Sequence, residues 1–213
     1  TMLLEDTITK FKGAFGIYYF KYYLHAENLF PIFSLVSVVP ILIGAMFVPM
    51  MSKRLGKKKT TILGLVGSGV SGIALFFVGK SLIPFFILSI LGSLFFGIAA
   101  ITMSAMIADC VEYSEWKTGK RAEGTVFAAN TFRSKFAGAI GGGIGAYMLS
   151  GIGYIPNQTQ TGTTMVWMQG LYTIIPGILL LISAIPLMKY QLSEGFYEKI
   201  LSEIKIRRKR NTT

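Results

Sequence analysis

Long apolar runs, separated by short stretches of charge or turn residues, recur along the whole chain. Six can be marked, at residues 8–24, 29–51, 60–79, 81–106, 125–152 and 165–188. Runs of about 20 apolar residues match the hydrocarbon thickness of a bilayer. Backbone polar groups in lipid are satisfied only by helices or closed barrels, and these runs lack the alternation of barrel strands. The pattern therefore predicts an all-α membrane protein: a six-transmembrane-helix bundle over residues 1–188, followed by a basic tail over 189–213.

The six runs differ in character. Residues 8–24 form the weakest span, interrupted by Lys12 and Lys21 and rich in tyrosine. Such a helix is tolerated where it lines an aqueous cavity, which makes Tyr18, Tyr19 and Lys21 cavity-lining candidates. The other reading is an interfacial aromatic helix with Lys21 snorkelling to the headgroups. The second run contains Pro31, Pro40 and Pro49, each a potential kink. The third carries Gly64, Gly67, Gly69 and Gly72, a small-residue face on which another helix can pack closely.

Composition supports the membrane reading. Hydrophobic residues make up 52% and charged residues only 15% of 213, against about 25% charged in soluble domains. The formal net charge of +11 would suit nucleic acid, but the basic residues sort by side. Five lie in the turn at 53–59 and seven between Lys189 and Arg210, with Lys80 alone in the alternate loops. That is the positive-inside bias, with both ends cytoplasmic in a plasma-membrane protein. No nucleic-acid partner is needed, and the tail suits anionic lipid headgroups. A single cysteine and a single histidine exclude disulfides and histidine-based metal or catalytic sites.

Two constellations stand out. The fifth span holds Lys135 about 15 Å from its start at Thr125, near mid-membrane. Asn130, Thr131, Ser134, Lys135 and Gly138 are read as one polar face, offering hydroxyl, amide and ammonium donors to a polyhydroxylated solute or an anion. Arg133 lies about 200° away and is read as snorkelling. The second constellation is the mixed-charge stretch Ala108–Gly124, with Asp109, Glu112, Glu115 and Arg121. It is either a solvated helix end or a gate whose charge pairs form when the cytoplasmic side is shut.

Ala108-Asp-Cys-Val-Glu-Tyr-Ser-Glu-Trp-Lys-Thr-Gly-Lys-Arg-Ala-Glu-Gly124 resembles the loop between helices ten and eleven of the glycoside–pentoside–hexuronide:cation symporters, in the major facilitator superfamily. Ile152-Gly-Tyr-Ile-Pro-Asn157 is similar to that family's pattern after helix eleven. The resemblance spans essentially the whole chain and implies the C-terminal half of a twelve-helix major facilitator fold. It implies cation-coupled symport of a sugar or glycoside by alternating access, with no cofactor. The coupling cation, Na⁺ or H⁺, would have its main site in an N-terminal six-helix half, the principal protein partner. Lys135 matches a lysine of melibiose-permease-like members, and Asn130 and Thr131 match sugar-cavity positions, while Ala100 stands about where such members have tryptophan. The turn Pro49–Lys58 resembles the superfamily's basic loop, with Pro49 for its glycine and Lys53 for its aspartate, so the aspartate's gating bridge is expected to be missing. The competing class is a non-transporting six-helix module that pairs with another subunit. An enzyme is the weakest reading, because no acid–base cluster is present.

Overall fold

The structure, a computed structural model, describes residues 1–190, 192 and 194–210, and its elements are all helical. The last residues of the basic tail, 211–213, lie outside the described residues. Helix α1 (Met2–Tyr18) runs directly into a π-helical turn, Tyr19–Tyr23. Helices α2 (Leu29–Val36) and α3 (Val38–Val78) are parted at Ser37. Helices α6 (Gly162–Tyr172) and α7 (Ile174–Ser183) are parted at Thr173. Each break lies three residues before a proline, Pro40 or Pro176. A proline ring clashes with the carbonyl four residues back, here that of Val36 or Tyr172.

Helix α3 is a hairpin in itself. Gly56 has φ +80°, a conformation open to glycine at little cost, and interrupts the helix there. A Cβ at Gly44 would meet the Leu94 carbonyl, and one at Gly64 the backbone of Phe95 and Ala99. Both arms therefore lie at one level against α4 (Leu82–Thr118), folded back on each other. The glycines expected to form a packing face do so: Gly64 meets α4, while Gly69 and Gly177 bring α3 and α7 together backbone to backbone.

Helix α5 (Glu123–Gly151) packs on α1 through Gly141, where a Cβ would lie 2.7 Å from the carbonyl oxygen of Thr7. A 3₁₀ turn, Ile185–Lys189, leads on to helix α8 (Glu194–Arg210). Aromatic residues of α1, the π-turn, α2, α4 and α6 form one core, and Leu65, Met103, Met106 and Leu180 anchor a second. Large apolar side chains also point outward: Met46, Phe77, Ile83 and Tyr147 are each more than three-quarters exposed. Among the described residues, three stretches are long and apolar enough to cross a membrane, Leu29–Val78, Leu82–Thr118 and Gly162–Lys189.

One sequence expectation needs correcting. The stretch from Ala108 is no loop: α4 continues to Thr118 and ends at Gly119, whose φ of +73° gives a left-handed cap. The basic tail carries a helix. Its helix α8 buries Ile200 and Ile204, which leaves its opposite face for solvent or headgroups.

Candidate functional site

The residues singled out in the sequence fall into three places. At the end of the bundle where α3 turns, Lys57 Nζ sits 2.7 Å from both carboxylate oxygens of Asp109, itself almost fully buried. The same ammonium lies 4.6 Å from the centre of the Tyr197 ring. The Tyr197 hydroxyl donates to Glu112, and burial together with the Glu112 and Asp109 carboxylates pushes that phenol well above its usual range. The Lys57 amide donates to Glu194 at 3.1 Å, and Trp116 Nε1 donates to Glu203 at 2.6 Å. Lys58 reaches the carbonyl oxygens of Met188 and Tyr190 at 2.6 and 3.1 Å. Arg121 pairs with Glu115 at 3.4 Å and with Glu123 at 2.9 Å.

Asp109 and Glu112 are thus not a solvated helix end. They join the basic turn, the end of α4 and helix α8 into one network. Lys53, in the position of the superfamily aspartate, is exposed and takes no part in it; Lys57 supplies the turn's ion pair instead.

The polar face expected on α5 divides in two. Asn130 Oδ1 accepts from Arg133 Nε at 3.1 Å, and Arg133 Nη1 lies 3.0 Å from Asp6 of α1. Arg133 is therefore a tie between α1 and α5 and does not snorkel. Ser134 is half-buried, and Thr131 is exposed with its hydroxyl turned back to the Phe127 carbonyl at 3.0 Å. Lys135 is exposed, and no carboxylate among the described residues pairs with it. Five residues separate it from Asn130, about 140° of helix rotation, so the two point different ways. Gly138, Gly142 and Gly143 have open space where a Cβ would stand.

The cavity-lining candidates fare unequally. Tyr19 lines no cavity: it is fully buried, its ring 4.3 Å from that of Tyr172 and 5.0 Å from that of Tyr23. Stacking of three tyrosines at the π-turn leaves it no water. Lys21 is half-buried, 3.8 Å from Glu27, with its ammonium 5.5 Å from the Tyr22 ring centre. Tyr18 borders a recess between α1 and α5, against Gly142, Ala146 and Tyr154.

A separate cavity of about 320 Å³ went unread in the sequence. It lies among α1, α2, α3, α4 and α7, and its polar lining includes Lys12, Ser68, Ser71, Ser89 and Ser93. Phe30, Phe33, Phe96 and Tyr172 supply aromatic walls. Lys12 Nζ stands 5.0 Å from the centre of the Tyr172 ring. Serines on three different helix segments converge here, and sequence spacing within one helix cannot reveal that. Lys12 itself, a lysine about 15 Å from the start of α1, was the available signal.

Residues 2–194 match the model of a family described as MFS/sugar transport protein. Among similar proteins, the "Putative sulfoquinovose importer" of Salmonella typhimurium (strain LT2) is 37% identical over 201 residues, covering 93% of this chain and 42% of that protein. The "Glucuronide carrier protein homolog" of Escherichia coli K12 is 33% identical, covering 92% and 44%. The "Isoprimeverose transporter" of Lactiplantibacillus pentosus is 32% identical, covering 84% and 37%. The chain thus spans less than half the length of these relatives.

Proposed function

Because the chain belongs to the MFS/sugar transport protein family, we propose that it is the C-terminal, six-span half of a cation-coupled sugar or glycoside symporter. The spans are α1 with its π-turn, α2 with the first arm of α3, the second arm of α3, α4, α5, and α6 with α7. Both ends of the chain then lie on the cytoplasmic side of the plasma membrane, with the Lys57–Asp109 network. Alternating access rocks this half against another around a midplane site. The coupling cation is Na⁺ or H⁺, with its main site in the other half.

The observation that carries this reading is the outward side of α5. Lys135 there has no carboxylate partner among the described residues, beside glycines with nothing against them. A lysine at mid-helix costs about 2.5–3.5 kcal/mol to place in lipid, which favours an aqueous cavity between two halves as its surroundings. In this reading Lys135 and Thr131 face the solute, and Asn130 and Ser134 support them from behind. The network of Asp109, Glu112, Glu115 and Arg121 braces the cytoplasmic side when that side is closed.

In the complete transporter, Lys135→Ala is expected to lower cation-stimulated sugar uptake about 10–100-fold at equal surface expression, the worth of a lost charged hydrogen bond. Normal uptake would remove Lys135 from the site. Arg133→Ala is no neutral control, since it frees Asp6 at the α1–α5 contact and is expected to lower stability.

Gly142 tests the partner half. Gly142→Leu should leave the thermal midpoint of this chain nearly unchanged, yet prevent its co-purification with a separately expressed N-terminal half. Equal co-purification of wild type and variant would place the partner elsewhere and favour a module with a different assembly.

A further inference from the structure

Glu5 of α1 is a buried ionisable residue, only 6% exposed, for which the network and the polar face of α5 have no use. Met2, Glu5 and Ile8 recur every three residues and share one side of the helix. Ile8 belongs to the second core, with Leu65, Met103 and Leu180, and Met2 packs against it. Glu5 stands between the two on that side. Among the described residues, no hydrogen bond or ion pair reaches its carboxyl group. The Thr9 hydroxyl, one turn on, donates instead to the Glu5 backbone carbonyl at 3.0 Å.

The charged groups around it supply no counter-ion. On α1 itself, Asp6 is adjacent and the Thr1 amine lies one turn back, while Lys10 and Lys12 lie about 8 and 10 Å along the axis. Of the cations on α5, Lys135 is exposed, and Arg133 Nη1 is committed to Asp6 at 3.0 Å, with its Nε on Asn130 at 3.1 Å. Helix α7, also packed on α1, has no titratable side chain. Tyr172 of α6 stands by Lys12, and Tyr190 borders the far rim of the core. A carboxyl group so placed is held neutral and protonated, because an isolated buried charge is far costlier.

A permanently neutral position has no need of a carboxyl group. Next to Glu5, moreover, is a way to water: the side chains of Asp6 and Arg133 are 22% and 24% exposed. Ionisable groups within spanning helices mark proton and ion paths. On the reading that this chain is half of a symporter, we propose that Glu5 is a proton-binding site of this half. The carboxylic acid releases its O–H proton to water past the Asp6–Arg133 pair, and the carboxylate left behind shares Arg133 with Asp6. A proton taken from the other side of the membrane restores the acid. The coupling ion is then H⁺, and part of its path lies outside the other half.

The test uses the complete transporter, with sulfoquinovose, 4-nitrophenyl glucuronide and isoprimeverose as solute probes. Infrared difference spectra of the purified protein should show the carbonyl stretch of a protonated carboxylic acid, lost as pH rises. Glu5→Gln should remove that band and Glu5→Asp should shift its frequency. In proteoliposomes, accumulation driven by an inward proton gradient should fall to the outside concentration in Glu5→Gln. Counterflow at equal pH should stay near the wild-type rate, because the neutral amide imitates the loaded acid. Glu5→Asp should keep part of the accumulation, and it carries the test if Glu5→Gln does not fold. A band unchanged by either variant, or accumulation with an unchanged pH profile in Glu5→Gln, overturns the assignment. Accumulation and counterflow lost together overturn it too, as the mark of a structural role. A wild type that shows the Glu5 band yet carries none of the solutes overturns the transport reading and leaves the proton site standing.

Discussion

Gly97→Val is expected to be the most damaging single substitution in this chain. A Cβ at Gly97 would lie 2.2 Å from the carbonyl oxygen of Ile41 and 2.8 Å from its carbonyl carbon and Cα. Those are backbone atoms of α3, which no rotamer change can move aside. The contact is reciprocal, since a Cβ at Gly44 would lie 2.2 Å from the carbonyl oxygen of Leu94 in α4. Two helices therefore meet backbone to backbone at a pair of glycines, and any side chain forces them apart along their length. The cost should exceed the roughly 1–3 kcal/mol typical of an overpacked core. Thermal unfolding followed by detergent size-exclusion chromatography should show no folded peak, and Gly97→Ala should melt well below wild type. By contrast, the three atoms nearest a Cβ at Gly67 belong to the Phe95 ring, a side chain rather than backbone, so Gly67→Ala should be milder. Equal melting of Gly97→Ala and wild type would mean that the helices do not cross there.

The second large effect is expected at the end network. Lys57→Met removes the ammonium from a carboxylate that is almost fully buried and held at 2.7 Å. Breaking such a pair from one side costs about 3–5 kcal/mol, because the surviving charge stays buried. The low end applies, since Lys57 keeps some contact with water. Lys57→Met combined with Asp109→Leu should recover most of that loss, for a buried pair and an apolar pair of similar size are nearly equal in stability. A double variant no better than Lys57→Met alone would show that Asp109 is held by Tyr197 and α8 rather than by Lys57.

Much of this architecture could be read from single residues. Apolar run length gave most of the helical stretches, whereas the end of α4 at Gly119 was overlooked although its left-handed conformation favours glycine. The glycines of α3 gave its close approaches. What stayed hidden depended on partners from other elements. Tyr19 looks like a polar residue of a weak span, and only the rings of Tyr23 and Tyr172 turn it into core. Arg133 looks free to snorkel until Asp6 of α1 stands beside it. Asn130 and Lys135 look like one face when offsets are taken loosely, but 140° of rotation parts them. The serine-lined cavity draws on three helix segments, and no single helix predicts it. Pro176 was legible and unused: the rule that parts α2 from α3 before Pro40 also parts α6 from α7.

Those two proline breaks have a mechanical consequence for the Lys12 cavity. Four residues beyond each break the chain is clamped, at Ile41 against Gly97 and at Gly177 against Gly69. On the near side of the first break, α2 has no fully buried residue, yet it carries Phe30, Phe33 and Ser34 of the cavity wall. Helix α2 is thus a short cantilever: joined to α3 at Ser37 and propped by aromatic contacts of Phe20 with Phe30 and Phe33. Its inclination is one angular coordinate, and that coordinate sets the width of the cavity without disturbing the glycine crossings behind it.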